Sequence, residues 1–235
     1  MNQNLKIWSQ SNAFRKELLT NHPPSYPNEM LVKICSSKYY SHLNTLFFKT
    51  NRKSDVCELG CFSGNNLRLF FEKKYNVYGV DVNNEILEMC KKNLKRLNYN
   101  IRNFNLGIGN NLKIPFNKKF DAIVSINTIH YNYGNDIFES INYLKSKIKK
   151  NGLLIIETPA PDHEVFKKSK KISKLIYKFM DKNDFRYKQN LGLFENKKHF
   201  YSTLKKYFKK VEICIRTEKF GNSQSFQFYQ AICLN

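Results

Sequence analysis

The sequence predicts an α/β fold in which strands and helices alternate, and three observations carry that expectation. An apolar run, Val56, Cys57 and Leu59, enters a glycine turn at Gly60 and Gly64 and leaves through Leu67, Leu69, Phe70 and Phe71 at helical spacing. Two later β-prone runs, 120–127 and 153–159, flank a segment whose apolar residues (Ile137, Ile141, Leu144, Ile148) recur with the helical period. With 235 residues, 41% of them hydrophobic, the chain can bury one sizeable core, so one domain with decorations is expected.

Taken in order, residues 1–54 read as a helical N-terminal extension interrupted by Pro23, Pro24 and Pro27, whose fixed φ and missing N–H groups exclude a regular helix there. Asn28 stands where the next helix, through Met30, Leu31 and Ile34, needs a cap. After the strand, turn and helix of 55–71, Asn76–Asp81 reads as a second strand. Ile86, Leu87, Met89, Cys90, Leu94 and Leu97 then mark an amphipathic helix with Lys91, Lys92, Lys95 and Arg96 largely on its wet side. Residues 101–106 alternate and predict a third strand, and 120–127 the central fourth. A helix over 136–150 is expected to end at Asn151-Gly152 in a left-handed cap, before the fifth strand at 153–159. In the excursion 160–196, Ile172, Leu175, Ile176 and Phe179 predict a helix, followed by a polar, aromatic stretch at 181–194. A short helix over 197–208 and strands at 211–215 and 226–233, joined at Gly221, complete the chain.

The glycine turn between strand and helix is a candidate ligand seat, because glycine tolerates positive φ and the following helix presents free N–H groups. The dinucleotide fingerprint G-x-G-x-x-G fails twice when aligned on Gly60, at Phe62 and Asn65. Glu58-Leu59-Gly60-Cys61-Phe62-Ser63-Gly64 instead resembles the E/D-x-G-x-x-x-G signature of class I S-adenosylmethionine-dependent methyltransferases, with Phe62 a departure where that family often carries glycine. Three further segments extend the resemblance: Gly109 to Phe116 to a G-D-x-x-x-L-P-F motif, Phe120-Asp121-Ala122-Ile123 to F-D-x-V/I, and Gly152 to Pro159 to G-x-L-x-I-x-x-P. The resemblance implies a Rossmann-like, seven-stranded, mostly parallel sheet of order 3-2-1-4-5-7-6 with helices on both faces. Residues 1–54 would form an extension or lid, and 55–235 the methyltransferase domain with a substrate-shaping insertion at about 160–196.

It also implies S-adenosyl-L-methionine as cofactor, held by Glu58, Gly60, Cys61, Phe62, Gly64, Asp81, Val82, Asn110 and Asn127. Asp81 lies 21 residues after Gly60, close to the offset of about 20 at which nucleotide-binding α/β folds place a ribose-binding carboxylate. Its alternative is a helix N-cap. Ligands of open α/β sheets sit outside the carboxyl ends of the strands, which puts Asn127, His130 and Tyr131 near the transferred methyl. His130 and Tyr131 are therefore the catalytic candidates; His130 reads as a general base or a hydrogen-bonding wall, against a structurally satisfied imidazole. Tyr26, Arg186 and Lys188 are the substrate-binding candidates, with Tyr39 and Tyr40 as further lid aromatics; the alternative for both regions is an ordinary surface excursion.

Forty Lys and Arg against nineteen acids give a formal charge of +21, a field that attracts phosphate or nucleic acid. Only seven of the forty are Arg, and Lys and Asn are spread along the whole chain as codon bias would spread them. An RNA acceptor is permitted, but Ser125-Ile126-Asn127-Thr128 lacks the N/D-P-P-Y/F motif of base-amino methylation and no separate RNA-binding module is evident. The leading expectation is an anionic small-molecule or glycan-precursor acceptor, with a cofactor-binding protein without turnover as a third reading. The six scattered cysteines suggest buried free thiols rather than a disulfide framework or metal site. No apolar run approaches membrane-spanning length and the N-terminus lacks a signal-peptide layout, so a soluble, cytoplasmic protein is expected.

Overall fold

A computed structural model describes residues 26–36, 54–221 and 224–235. Its central sheet has seven strands: β1 (Asp55–Leu59), β2 (Asn76–Asp81), β3 (Phe104–Ile108), β4 (Phe120–Ile126), β5 (Ile148–Pro159) and, after an insertion, β9 (Lys210–Phe220) and β10 (Gln224–Leu234). The order is β3-β2-β1-β4-β5-β10-β9, with β10 antiparallel to both neighbours and β1 to β5 parallel. That is the expected 3-2-1-4-5-7-6 arrangement, the last two strands being β10 and β9.

Strand residues alternate between two cores, as a period of two requires. Val56, Val77, Val124, Leu153 and Ile155 face one layer with α1 (Glu29–Ser36), α2 (Asn65–Glu72) and α3 (Asn84–Arg96). Cys57, Leu59, Val80, Ile123, Leu154 and Ile156 face the other, with α4 (Asn135–Ser146) and α6 (Lys197–Lys205). Parallel strands covered on both faces are continuously apolar, which is why these runs were legible as strands. At the amino edge of the sheet the Asp121 carboxylate accepts from the Asp55 N–H (2.8 Å) and from Lys149 Nζ (2.8 Å), while Lys118 pairs with Asp55 (2.8 Å). The Phe120-Asp121 pair therefore ties β4 to β1 far from the ligand edge.

Four expectations are corrected. The helix expected over 136–150 stops at Ser146, because Ile148 packs as the first residue of β5 opposite Phe120. Asn151 is left-handed (φ 61°) within β5 rather than at a helix end. The third strand starts at Phe104, after a 3-10 turn at Ile101–Asn103. The helix expected around Ile172–Phe179 is instead a hairpin, β6 (Ser169–Ser173) and β7 (Ile176–Phe179), completed by β8 (Asn190–Leu191) into a second sheet and preceded by the short α5 (Glu164–Lys167). Tyr177 and Phe179 are buried on one face of that sheet, Ile172 is exposed, and Leu175 takes φ 57° in the hairpin turn, a pattern of two rather than 3.6. All six cysteines are free thiols; five are buried and Cys214 is exposed. No helix among the described residues is long and apolar enough to cross a membrane. Tyr39, Tyr40 and the prolines at 23 and 24 lie outside the described residues.

Candidate active site

The carboxyl ends of β1 and β2 meet at the glycine turn. Gly60 and Cys61 both donate their N–H to Val80 O (2.8 and 3.1 Å), which folds the turn across β2. Gly60 (φ 68°) and Gly64 (φ 78°) are left-handed, and so is Phe62 (φ 44°), the residue where the family signature often has glycine. An L side chain in that region is strained, and the strain at Phe62 is met by its N–H donating to Asp81 Oδ2 at 3.0 Å. Val82 N–H donates to the other oxygen, Oδ1, at 2.8 Å. Asp81 is thus not the N-cap of α3; that role belongs to Asn83, whose side chain accepts from Glu85 N–H. Burial pushes the Asp81 carboxyl up to about 6, against the two N–H groups that favour its ionised form. Cys61 is buried beneath the turn in the same core cluster as Cys90, so it shapes the loop from below. Gly109 N–H donates to Asp81 O (2.9 Å), laying the loop after β3 alongside; there Asn110 Oδ1 already accepts from Leu112 N–H (2.8 Å). A second lone pair of that oxygen and the amide N–H₂ remain as its recognition groups.

A polar chain links this turn to the far side of the sheet. Glu58 is 2% exposed; its Oε1 accepts from Asn66 Nδ2 (2.6 Å), and its Oε2 has no partner among the described residues. Burial pushes the Glu58 carboxyl up to about 8. Asn66 Oδ1 accepts from Asn28 N–H (2.7 Å), and Asn28 Nδ2 donates to Glu157 Oε1 (2.9 Å). The same Glu157 oxygen accepts from Asn127 Nδ2 (3.3 Å), and Gln230 Nε2 donates to Oε2 (2.6 Å). Asn28 also caps α1 as expected, accepting from Met30 N–H (3.0 Å). The stretch before α1 is therefore strapped over the carboxyl ends of β1 and β5. Asn127, at the end of β4, is left-handed (φ 51°) and held by Glu157 through its backbone N–H as well. Glu157 was not singled out from sequence; its signal was one acid closing the apolar run Leu153–Ile156, a residue type that is almost never fully buried without partners.

The second sheet docks on the 3-10 turn Ile129–Tyr131 that follows β4. Gly192 N–H donates to His130 O (2.8 Å), and a Cβ on Gly192 would lie 2.1 Å from Asn132 O, so only glycine admits this approach. Gly134 N–H donates to Leu175 O (3.1 Å). This docking brings the Arg186 charge to bear on Tyr131 and places its guanidinium 4.8 Å from the Phe179 ring centre. Arg186 also forks onto Asp184, Nε to Oδ1 at 2.8 Å and Nη2 to Oδ2 at 2.5 Å. His130 is 3% exposed, its ring centre 4.4 Å from that of Tyr131, and its Nδ1 has no partner among the described residues. Burial, with the Arg186 charge, drops the His130 imidazole to about 3.

Of the substrate candidates, Arg186 joins His130 and Tyr131, and two do not. Lys188 is exposed with its Nζ over the Tyr187 ring, and the Tyr26 side chain is 81% exposed, only its carbonyl being engaged by Asn65 Nδ2 (2.6 Å). Sequence reading missed Asp184 and also His163, which packs on Phe226 and Phe228 and accepts Val165 N–H at Nδ1 (3.0 Å).

These residues fit S-adenosylmethionine: a buried carboxylate oriented by two N–H groups suits a ribose, and the orphaned Glu58 oxygen suits a cationic partner. A family model described as "Methyltransferase domain" matches residues 50–218. The chain is 29% identical over 172 residues to a protein-L-isoaspartate O-methyltransferase of Dictyoglomus thermophilum, covering 72% of this chain and 70% of that one. A shorter likeness, 35% over 133 residues, covers 49% of this chain and 81% of the endoribonuclease YbeY of Pelagibacter ubique. The solved structure of an S-adenosylmethionine-dependent methyltransferase from Clostridium acetobutylicum superposes with a TM-score of 0.61 over 94% of this chain and 96% of that one, at 13% identity, a likeness of fold. The family match, the seven-stranded order and the glycine turn with Asp81 agree: the chain belongs to the methyltransferase-domain family and is an S-adenosylmethionine-dependent methyltransferase.

Proposed function

We propose that the acceptor is an anionic small molecule or glycan precursor, seated between the carboxyl end of β4 and the β6–β8 sheet. The observation that carries this reading is the Arg186 guanidinium, one of seven in a lysine-rich chain, stacked over Phe179 with its charge felt by Tyr131 and His130. Asp184 takes the Nε–Nη2 edge, balances part of the charge and fixes the guanidinium plane, leaving the Nη1 side for a carboxylate or phosphate. The Dictyoglomus relative is named for methylation on oxygen of an isoaspartate, an anionic group.

The bound cofactor supplies an activated methyl whose sulfonium is already a good leaving group. The chain's own work is alignment. Asp81, Glu58 and the glycine turn hold the cofactor, Asn127 and Thr128 border it at the end of β4, and Arg186 with Tyr131 orients the acceptor. His130 serves as a neutral hydrogen-bonding wall through Nδ1, because an imidazole held near 3 is a weak base at neutral pH. Asn28 and its strap act as the lid.

Methyl-transfer assays on carboxylated and phosphorylated sugars against total RNA test the acceptor class. Arg186→Ala is expected to raise KM for the acceptor about tenfold or more with little change in cofactor affinity. Wild-type kinetics in that variant, or transfer to RNA alone, contradicts the reading. For His130, kcat is expected to show no inflection near the ordinary imidazole value of about 6.5; an inflection there that His130→Gln abolishes would make it the base. For the lid, proteolysis within 23–29 should slow on adding cofactor and lose that protection in Asn28→Ala, and equal cutting rates with and without cofactor would reduce the strap to an ordinary loop.

A further inference from the structure

Gln189 is the most anomalous polar residue of the insertion. It is fully buried (0% exposed), yet neither Oε1 nor Nε2 of its amide has a partner among the described residues. A buried amide with both ends unpaired is exceptional in a native fold and calls for a partner from outside the chain.

Its position says what that partner meets. Gln189 N–H closes a turn onto Arg186 O (2.8 Å), and its carbonyl accepts from Phe179 N–H (2.9 Å) while Lys188 N–H donates to Phe179 O (2.8 Å). These bonds continue the β7–β8 register (Tyr177 opposite Leu191, Lys178 opposite Asn190), so Gln189 stands across from Phe179 and shares a face with Tyr177, Phe179 and Leu191. That face is the buried one, and Tyr131 and Phe166 pack against it. The Arg186 guanidinium lies over Phe179 on the same ring, and Tyr131 carries the line on to His130, whose Nδ1 is also unpartnered. Two orphaned groups, the Gln189 amide and His130 Nδ1, therefore lie within one buried layer that also holds Phe179 and Tyr131.

From this juxtaposition we infer that Gln189 is a specificity-determining residue that reads a vicinal hydroxyl pair of a sugar ring in the acceptor. The inference rests on the acceptor seat proposed above. An amide sets one donor beside one acceptor, whichever way its head is turned, and neighbouring hydroxyls offer the complementary pair. The half-buried rings of Tyr131 and Phe166, which border that face, suit the apolar face of a sugar. Charge recognition is left to Arg186, since an amide brings none.

The side-chain amide resonances of Gln189 test this in the full chain, labelled with nitrogen-15 and saturated with S-adenosylhomocysteine. They are assigned by their loss in Gln189→Leu, or in Gln189→Met should the first variant fold poorly. Methyl β-D-glucoside and D-glucuronate are expected to shift the pair, and N-acetylglycinamide to leave it in place. Either variant should weaken glucoside binding about tenfold while keeping the melting temperature and S-adenosylhomocysteine affinity of the wild type. A glucoside that shifts the pair and binds as well as glucuronate supports the role of Gln189 while removing the anionic reading of Arg186. A resonance pair that ignores both sugars, or answers only to N-acetylglycinamide, overturns the inference.

Discussion

Gly60→Ala is expected to cost about 2–5 kcal/mol of stability and most of the cofactor affinity. The added Cβ would lie 2.3 Å from Thr128 Oγ1 and 2.9 Å from its Cγ2, at a backbone φ of 68°. The left-handed conformation alone costs an L residue about 1–2 kcal/mol, and overpacking a closed contact about 1–3 more. Thr128 has little room to yield, because its hydroxyl donates to Ile126 O at 2.9 Å and its own position follows the left-handed Asn127. Moving it displaces the end of β4 against which the glycine turn rests. Chemical denaturation of the variant measures the first term and calorimetric titration with S-adenosylhomocysteine the second; a variant with wild-type values in both would show that Thr128 does not confine the turn.

Asp81→Ala is the second large effect, expected to weaken cofactor binding by about 1.5–3 kcal/mol, or roughly 10- to 150-fold. Two losses combine. The ribose loses a carboxylate acceptor, and the N–H groups of Phe62 and Val82 lose the oxygens that hold the turn. Phe62 is the exposed point of this design: a left-handed phenylalanine stays in place only while something outweighs its strain, and Asp81 Oδ2 is what meets its N–H. Unchanged affinity in a folded Asp81→Ala would remove the ribose assignment.

How far the sequence reached follows from which interactions are local. The sheet was legible because its parallel strands are covered on both faces and read as unbroken apolar runs, and the turn because Gly60, Gly64 and Asp81 sit at fixed offsets along the chain. The insertion was misread because Ile172, Leu175, Ile176 and Phe179 fit spacings of three and four, whereas burial selects Tyr177 and Phe179, two apart. Ile148 misled in the same way, continuing the 141, 144 helical series while packing as a strand residue opposite Phe120. A lid before the glycine turn was expected from sequence, but its anchor was beyond sequence reasoning: Asn28 and Glu157 meet across 129 residues, and nothing local to either marks the other. Arg186 was found by its rarity and its partner Asp184 lies only two residues away, but its register beside Gln189 depends on a sheet that the sequence disguised as a helix.

The central claim is that a buried Asp81 carboxylate holds the cofactor, and its pH dependence tests it. Burial raises this carboxyl to about 6 in the free protein, so folding favours its protonated form and stability declines as pH rises from the ordinary carboxylate value toward 6. Ribose hydroxyls favour the ionised form, so binding must strengthen as pH rises through about 6 and weaken on the acid side, apart from any further rise near 8 where the Glu58 carboxyl ionises. Calorimetric titration of S-adenosylhomocysteine across that range, in the wild type and in Asp81→Asn, should give a rising curve for the first and, over the same interval, a flat and weaker one for the second. Parallel curves would contradict the account.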